Sequence, residues 1–138
     1  MMLATKKRNP RIAGLIGLAA APDFTKDIFN ELAKKKRDEV LNNGITKIKK
    51  WNFKYIFTKN FFSDGKKNFI INKKFNFNKK IIFLHGSKDE VVPLSTPKKI
   101  LNRVSSKKIE LRILKNSDHR LSKKSDLENI KNAIDSLI

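Results

Sequence analysis

The sequence predicts an α/β fold in which a small parallel sheet of about three strands is flanked by helices. Strands are predicted at residues 12–18, 80–84 and 110–114. The first is an apolar run of the kind that is typical of a strand buried on both faces of a parallel sheet, and the second is also a buried strand. The last two strands are each followed by a segment with helical spacing, and strand–helix alternation indicates parallel strands with right-handed crossovers. At 138 residues the chain forms at most one domain or part of one.

The N-terminal residues predict the end of a helix followed by the first strand. Residues 1–7 are helix formers that end in basic residues, which suits the last turn of a helix. The same region also fits a secretion signal, because 6–11 is basic, 12–18 is apolar and 19–21 is a small-residue run. Pro22 would directly follow the cleavage point, and the apolar run is far shorter than the ~20 residues that span a bilayer. A buried strand is therefore the preferred interpretation, and we predict a cytoplasmic protein without a membrane span.

The segment 22–79 predicts a lid-like helical insertion within the single domain 1–138. Asp23 or Thr25 is placed to cap a helix that reaches about Lys36. An aromatic segment follows, and we expect it to lie on one or two helices. It comprises Trp51, Phe53, Tyr55, Ile56, Phe57, Phe61, Phe62 and Phe69. These side chains form either an ordinary core or an apolar lid or acyl pocket.

The final third predicts two further helices. Ser95 or Thr96 is expected to cap the first, with Pro97 at its first position, and Ser122 to cap the second, with Asp126 in its first turn. The expected apolar stripe of the last helix consists of Leu127, Ile130, Ile134 and Leu137.

The composition narrows the classes of function. The net charge of +19 comes from 26 Lys and only 6 Arg, together with 14 Asn, and the lysines are spread along the chain. Because Arg is the better reader of phosphates and bases, a solvated lysine surface is preferred over a nucleic-acid interface. The absence of cysteine excludes disulfides, thiolate metal sites and a cysteine nucleophile. With two histidines and no P-loop or G-x-G-x-x-G pattern, no metal and no cofactor are predicted.

Two polar residues follow apolar strands in the order that a catalytic triad requires. Asp89 comes after the strand at 80–84 and His119 after the strand at 110–114. Imidazole is a suitable general base near neutral pH, and a carboxylate must hold its second nitrogen. The two residues are 30 positions apart, which is enough for one helix and one strand, so the two loops become neighbours at the carboxyl edge of the sheet. Each residue alone has a structural alternative, as a turn-forming Asp or a structural His.

Other polar residues close to Asp89 and His119 in the sequence are not predicted to be catalytic. Asp118 is predicted to be the turn residue that positions His119, and His85 to be structural in the loop wall. Ser87 lacks the strand–turn–helix context of a nucleophile elbow. The five glycines stand at positions 14, 17, 44, 65 and 86, and no pair brackets a serine as G-x-S-x-G. The acid and the base are thus present in this sequence, and the nucleophile is not.

Three segments resemble the α/β-hydrolase superfamily, and in particular its C-terminal half. The residues LHGSKDEVVP at 84–93 are similar to the acid loop LHG-x-x-D-x-x-VP, and SDHRLS at 117–122 resembles the histidine loop. The residues AGLIGLAAAPDFT at 13–25 resemble more narrowly the bacterial relatives of the mitochondrial palmitoyl-protein thioesterase, also called mycophenolic acid acyl-glucuronide esterase. The resemblance is loose over 34–79.

The resemblance implies a serine-type hydrolase of carboxylic esters or thioesters, with Asp89 as triad acid and His119 as general base. It also implies that Met1 falls within the helix after the nucleophile elbow, so that the serine and the oxyanion hole lie upstream of this sequence. We then expect the chain to need an N-terminal partner fragment that carries the serine, and to be incomplete alone. The alternatives are an inactive truncated fragment and a basic binding protein for acidic partners.

Overall fold

The computed structural model describes residues 11–50, 52–106 and 108–137. The predicted helix end at 1–7 lies outside the described residues. The chain divides into two compact units, one from the described residues at 11–21 and 71–137, and one from Pro22–Ile70. In chain order the elements are β1 (Gly14–Leu18), α1 (Phe24–Glu31), α2 (Lys34–Asn43), β2 (Ile45–Lys50), β3 (Phe53–Thr58), α3 (Lys59–Lys67), β4 (Phe75–Asn76), β5 (Lys80–Gly86), α4 (Ser95–Leu101), β6 (Val104–Ser105), β7 (Ile109–Leu114) and α5 (Lys124–Asp135).

The first unit is built on a three-stranded parallel sheet of order β1-β5-β7. The register pairs Ile16 of β1 with Ile82 of β5, and Ile82 in turn with Glu110 of β7. A second, two-residue parallel pairing joins β4 to β6. The predicted α/β class and the parallel three-stranded sheet are therefore confirmed, although β1 begins two residues later than predicted and β5 extends to Gly86.

Strand β5 carries the core of this unit on both of its faces. Ile81 and Phe83 belong to one apolar cluster, and Ile82 and Leu84 to the other. Side chains alternate between the two faces of a strand, so a continuous apolar run fills both. Full burial of each such side chain contributes about 1.5–3 kcal/mol. The central strand is thus the most firmly held element of the sheet.

The helix caps differ by one residue from the prediction. Ser95 and Thr96 lie inside α4, and the residue at its N-cap is Leu94. In the same way α5 begins after Lys123 rather than after Ser122. Residue preferences at N-caps show that a helix begins nearby but do not fix its first residue, because neighbouring residues can bind the same backbone N–H groups.

Helix α5 packs on the sheet with a narrower stripe than the sequence predicts. Ile130 and Leu137 pack against the cluster that contains Ile82, and Ala133 is fully buried among them. Leu127 and Ile134 are 56% and 48% exposed. The face of α5 that packs on the sheet is thus formed by Ile130, Ala133 and Leu137.

The prediction of an all-helical segment at 22–79 is wrong for its middle. β2 and β3 pair in antiparallel orientation, and Gly44 ends α2 at a φ of 78° just before β2. Phe53, Tyr55 and Phe57 recur at every second residue, which is strand spacing, and they lie on β3. Phe61 and Phe62 do lie on a helix, α3.

The predicted helix between Asp23 and Lys36 is two helices, α1 and α2. Asp23 precedes α1, but its carboxylate oxygen Oδ1 accepts the backbone N–H of Ile70 at 2.9 Å. This buried hydrogen bond joins the first and last turns of the second unit across 47 residues. Asp23 stands at the N-cap position of α1, as predicted, but its side chain makes no capping hydrogen bond there and instead closes the unit.

Aromatic side chains form the interior of the second unit. The ring of Phe57 lies 5.5 Å from that of Phe61 and 5.7 Å from that of Phe62, and Phe62 meets Phe29 edge-on at 5.0 Å. Pairs of this kind contribute about 0.5–1.5 kcal/mol beyond the area they bury. The rings connect β3, α3 and α1 into one half-buried cluster.

In the part of the chain described, no helix combines the length and the apolar character that crossing a bilayer requires.

Gly65 is the point of closest approach between α1 and α3. A methyl group on Gly65 would lie 2.7 Å from Cβ and 2.8 Å from Cγ2 of the buried Thr25, and closer still to its hydroxyl. In an open helix, Gly→Ala stabilises by about 0.5–1 kcal/mol. Here the contact with Thr25 reverses the expected sign.

We expect Gly65→Ala to lower the free energy of unfolding by about 1–3 kcal/mol, the usual cost of overpacking. The measurement is urea denaturation followed by circular dichroism. Ser63→Ala, on the exposed face of the same helix, is the control and should change stability by no more than about 0.5 kcal/mol. A stabilised Gly65→Ala variant would contradict the close packing of these helices.

Candidate active site

The loop after β5 holds Asp89 in a fixed orientation. Its side chain is 1% exposed, and its oxygen Oδ1 accepts the backbone N–H groups of Val91 at 2.9 Å and Val92 at 2.8 Å. A carboxylate that accepts the N–H groups two and three residues ahead closes a tight turn. Oδ2 is left facing away from this turn and is free to meet a second group.

The loop after β7 presents His119 at its apex. Asp118 accepts the backbone N–H of Arg120 at 3.0 Å, so it is the turn residue that the sequence predicts. Two non-glycine residues of this loop have positive φ angles, Asn116 at 60° and Leu121 at 48°. Asn tolerates this conformation, whereas for Leu it costs roughly 1–2 kcal/mol.

Burial of the Leu121 side chain offsets this strain. Leu121 is 2% exposed and packs in the cluster that contains Leu84, Leu114 and Ala133. Burying a leucine contributes about 1.5–3 kcal/mol, which exceeds the backbone cost. The histidine loop is therefore anchored in the core at its far end, as is common where a site holds backbone strain.

The two loops bring Asp89 and His119 into direct contact. His119 Nδ1 lies 3.0 Å from Asp89 Oδ2. Because a carboxylate only accepts hydrogen bonds, this contact places a proton on Nδ1. The His119 side chain is 39% exposed, while that of Asp89 is buried. This arrangement has the chemistry of a general base, held in one tautomer by a buried acid.

Two opposing influences determine the pKa of Asp89. Burial is the largest single influence and raises it, since burial penalises the charged form. The hydrogen bonds from Val92 N–H, from the His119 ring and from Val91 N–H together outweigh burial. The net result is a pKa below the ordinary value for Asp, so the carboxylate remains ionised at neutral pH.

Direct contacts between the two loops account for their spacing. Ser87 Oγ accepts the backbone N–H of Asn116 at 2.8 Å, and Lys88 donates its N–H to the carbonyl of Ser117 at 2.9 Å. A methyl group on Gly86 would lie 2.5 Å from the carbonyl oxygen of Asp118. Only glycine leaves room for this approach. Ser87 thus has a structural role between the loops, in line with the prediction that it is no nucleophile.

One supporting pair escaped the sequence analysis. Ser117 is buried and donates its hydroxyl to Asp126 Oδ1 at 2.5 Å, and Asp126 Oδ2 accepts the N–H of Lys123 at 3.2 Å. The first turn of α5 is thereby joined to the histidine loop. The sequence placed Asp126 in the first turn of a predicted helix, and nothing in the local pattern pointed to Ser117 as its partner.

His85 lies at the end of β5 and is 1% exposed. Its Nε2 is 2.9 Å from the carbonyl oxygen of Val92, in the acid loop. This agrees with its predicted structural place in the loop wall. In the described ranges, no three His, Asp or Glu side chains are grouped so that they could hold a metal ion.

The sequence of this chain is similar to those of known proteins along its whole length. No family model matches the chain. The chain is 30% identical over 145 residues to palmitoyl-protein thioesterase ABHD10, mitochondrial, of Homo sapiens, and 29% identical over 145 residues to that of Pongo abelii. Both alignments cover 100% of this chain and 46% of the relative, so the chain spans about half the length of these curated relatives.

Two solved structures have the same fold. A crystal structure from Agrobacterium vitis S4, of a protein described as a hydrolase, matches with a TM-score of 0.88 and 28% identity, over 99% of this chain and 55% of its own. The mouse α/β hydrolase domain-containing protein 10 matches with a TM-score of 0.86 and 23% identity, over 99% and 56%. These matches confirm the expected resemblance to α/β-hydrolases in fold, and the chain aligns with about half of each of these proteins.

The lowered pKa of Asp89 predicts how its contribution to stability depends on pH. A carboxyl group whose pKa is lower in the folded than in the unfolded chain stabilises the fold fully above its unfolded value, about 3.9. That contribution is lost as the pH falls through the folded value. We expect Asp89→Asn to cost about 1–3 kcal/mol at pH 7, because it disturbs the buried donors around Oδ1 and Oδ2. The cost should shrink on acidification toward about pH 3.

The measurement is the free energy of unfolding of both proteins in urea across that range. Asp118→Asn is the matched control, since Asp118 is an exposed acid of the neighbouring loop and asparagine preserves its turn. Its effect should stay within about 0.5 kcal/mol at every pH. An Asp89→Asn cost that is the same at pH 3 and pH 7 would show that ionisation of Asp89 does not stabilise the fold.

Proposed function

We propose that this chain supplies the acid and the general base of a serine-type hydrolase that cleaves carboxylic esters or thioesters. The observation that carries the proposal is the 3.0 Å contact between His119 Nδ1 and Asp89 Oδ2, after neighbouring parallel strands. The carboxyl edge of a parallel sheet is where such folds bind their ligands. Relationship to proteins described as hydrolases supports the same class of reaction.

In this proposal His119 Nε2 removes the proton of a serine hydroxyl while the serine oxygen bonds to the acyl carbon. Asp89 stabilises the resulting imidazolium through the proton on Nδ1. The imidazolium then gives its proton to the departing alkoxide or thiolate, and an acyl-serine remains. A water molecule then loses a proton to Nε2 and bonds to the acyl carbon. The bond between that carbon and the serine oxygen breaks, the imidazolium returns its proton to the serine oxygen, and the carboxylic acid leaves.

The serine and the oxyanion donors belong, in this proposal, to a segment that is not in this sequence, which contains no G-x-S-x-G pattern. A longer chain or a separate N-terminal fragment could supply them. The relatives are named as thioesterases that act on palmitoylated proteins, and this favours an acyl thioester or ester as substrate. The aromatic rings around Phe57 pack against one another within their own unit.

The cytoplasmic location expected from the sequence remains part of this proposal, and the curated relatives are mitochondrial by name. Involvement of a nucleic acid is not proposed. The lysines responsible for the charge of +19 occur in both units and on helices, strands and loops alike. A surface of this kind attracts anions without selecting one.

A chimaera tests the proposal. The chain would replace the matched 55% of the Agrobacterium vitis protein, whose remaining part would provide the missing segment of the fold. We expect the chimaera to hydrolyse p-nitrophenyl esters or acyl thioesters and to react with a fluorophosphonate probe. His119→Ala should then lower kcat by about 10⁴-fold, since the serine loses its base.

Lys131→Ala, an exposed change on α5, is the control for non-specific effects and should leave the rate unchanged. A folded chimaera whose hydrolysis is the same with and without His119→Ala would disprove the role of His119 as general base. A folded chimaera that neither hydrolyses esters nor reacts with the probe would favour a non-catalytic chain.

A further inference from the structure

His85 is a polar residue at a position where the strand pattern calls for an apolar one. It follows the buried run of β5, and by strand alternation it shares the face of Ile81 and Phe83. Its side chain is 1% exposed. A buried imidazole that is not fully hydrogen-bonded costs about 1–3 kcal/mol. An isoleucine or leucine would avoid this cost, so the imidazole requires an explanation.

The contacts of His85 define its protonation. Nε2 lies 2.9 Å from the carbonyl oxygen of Val92, which can only accept, so Nε2 carries the proton. In the part of the chain that the structure describes, buried Nδ1 has no hydrogen-bond partner. A proton on Nδ1 would therefore lack an acceptor there. The contacts of the ring therefore favour the tautomer with its proton on Nε2.

Val92 transmits the effect of His85 to the acid. Its carbonyl oxygen accepts from His85, while its N–H donates to Asp89 Oδ1 at 2.8 Å. The following residue is Pro93, which has no N–H to help close the loop. His85 thus restrains one side of Val92 and Asp89 the other. In addition, His85 Nε2 is 3.5 Å from Asp89 Oδ2, the oxygen that contacts His119.

We propose that His85 is a positioning residue of the acid–base pair, acting through Val92 to hold Asp89 at the distance that fixes the His119 tautomer. This rests on the proposed function, because the tautomer of His119 matters for a general base. His85 touches neither a substrate nor the reacting atoms. Its part is to convert a flexible loop after β5 into one defined turn.

The length of the side chain at position 85 distinguishes positioning from simple filling of space. Glutamine places an amide nitrogen at about the reach of imidazole Nε2, whereas asparagine reaches only as far as Nδ1. Leucine fills the volume without a donor. We therefore expect His85→Gln to preserve the site, and His85→Asn and His85→Leu to disrupt it.

The experiment uses nuclear magnetic resonance on the 138-residue chain with ¹⁵N-labelled imidazoles and ¹³C-labelled carboxylates. In the unchanged chain and in His85→Gln, we expect His119 to carry its proton on Nδ1. In His85→Asn and His85→Leu, that signal should give way to a mixture of tautomers, and the pKa of Asp89 should rise. The Val92 amide should exchange with solvent about tenfold faster, which corresponds to about 1.4 kcal/mol.

The outcomes separate this inference from the proposed function. A folded His85→Leu chain that keeps the Nδ1 proton on His119 and a slowly exchanging Val92 amide would overturn the role of His85 alone. If His85→Leu does not fold, the comparison of glutamine with asparagine decides, and equal spectra for the two would also overturn it. An unchanged chain with the His119 proton on Nε2 would instead refute the acid–base pair itself.

Discussion

The burial of β5 between two parallel neighbours is the constraint on which the site depends. Parallel pairing makes the carboxyl ends of β5 and β7 lie side by side, with Gly86 opposite Leu114 in the register. The loops that carry Asp89 and His119 therefore leave the sheet at adjacent points. Because apolar side chains fill both faces of β5, a shift in its register would expose the core. The stability of the sheet and the proximity of the two loops thus have the same physical origin.

Adjacent strand ends alone do not produce a 3.0 Å contact, and the remaining precision comes from backbone contacts between the loops. The N–H of Lys88 and the hydroxyl oxygen of Ser87 bind the histidine loop directly, and Gly86 leaves room for it. On the other side, Leu121 is held in an unfavourable backbone conformation by its own burial. Burial of apolar side chains thus stabilises the backbone conformation that positions the polar residues of the site.

The sequence was sufficient for the parts of the structure that follow from local pattern. Buried strands are continuous apolar runs, and an acid and a histidine after two such strands predict a meeting point, so Asp89 and His119 could be found. The antiparallel pair of β2 and β3 could not, because Phe57, Phe61 and Phe62 also fit helical spacing. Contacts between residues that are far apart in the sequence leave no local signal. Asp23 could be placed before a helix from the sequence, but its hydrogen bond to Ile70 could not be predicted.

The hydrogen bonds of Asp89 explain why Asp89 and His119 are already in contact within this chain. An ionised carboxylate has about four acceptor positions. Oδ1 accepts two backbone N–H groups, and Oδ2 accepts the ring N–H of His119 at 3.0 Å. These donors, all from one unit of the chain, offset the cost of burying the charge. In the proposed mechanism a base that is already oriented in this way reacts without rearrangement, and electrostatic preorganisation of that kind is the main source of catalytic power in many enzymes.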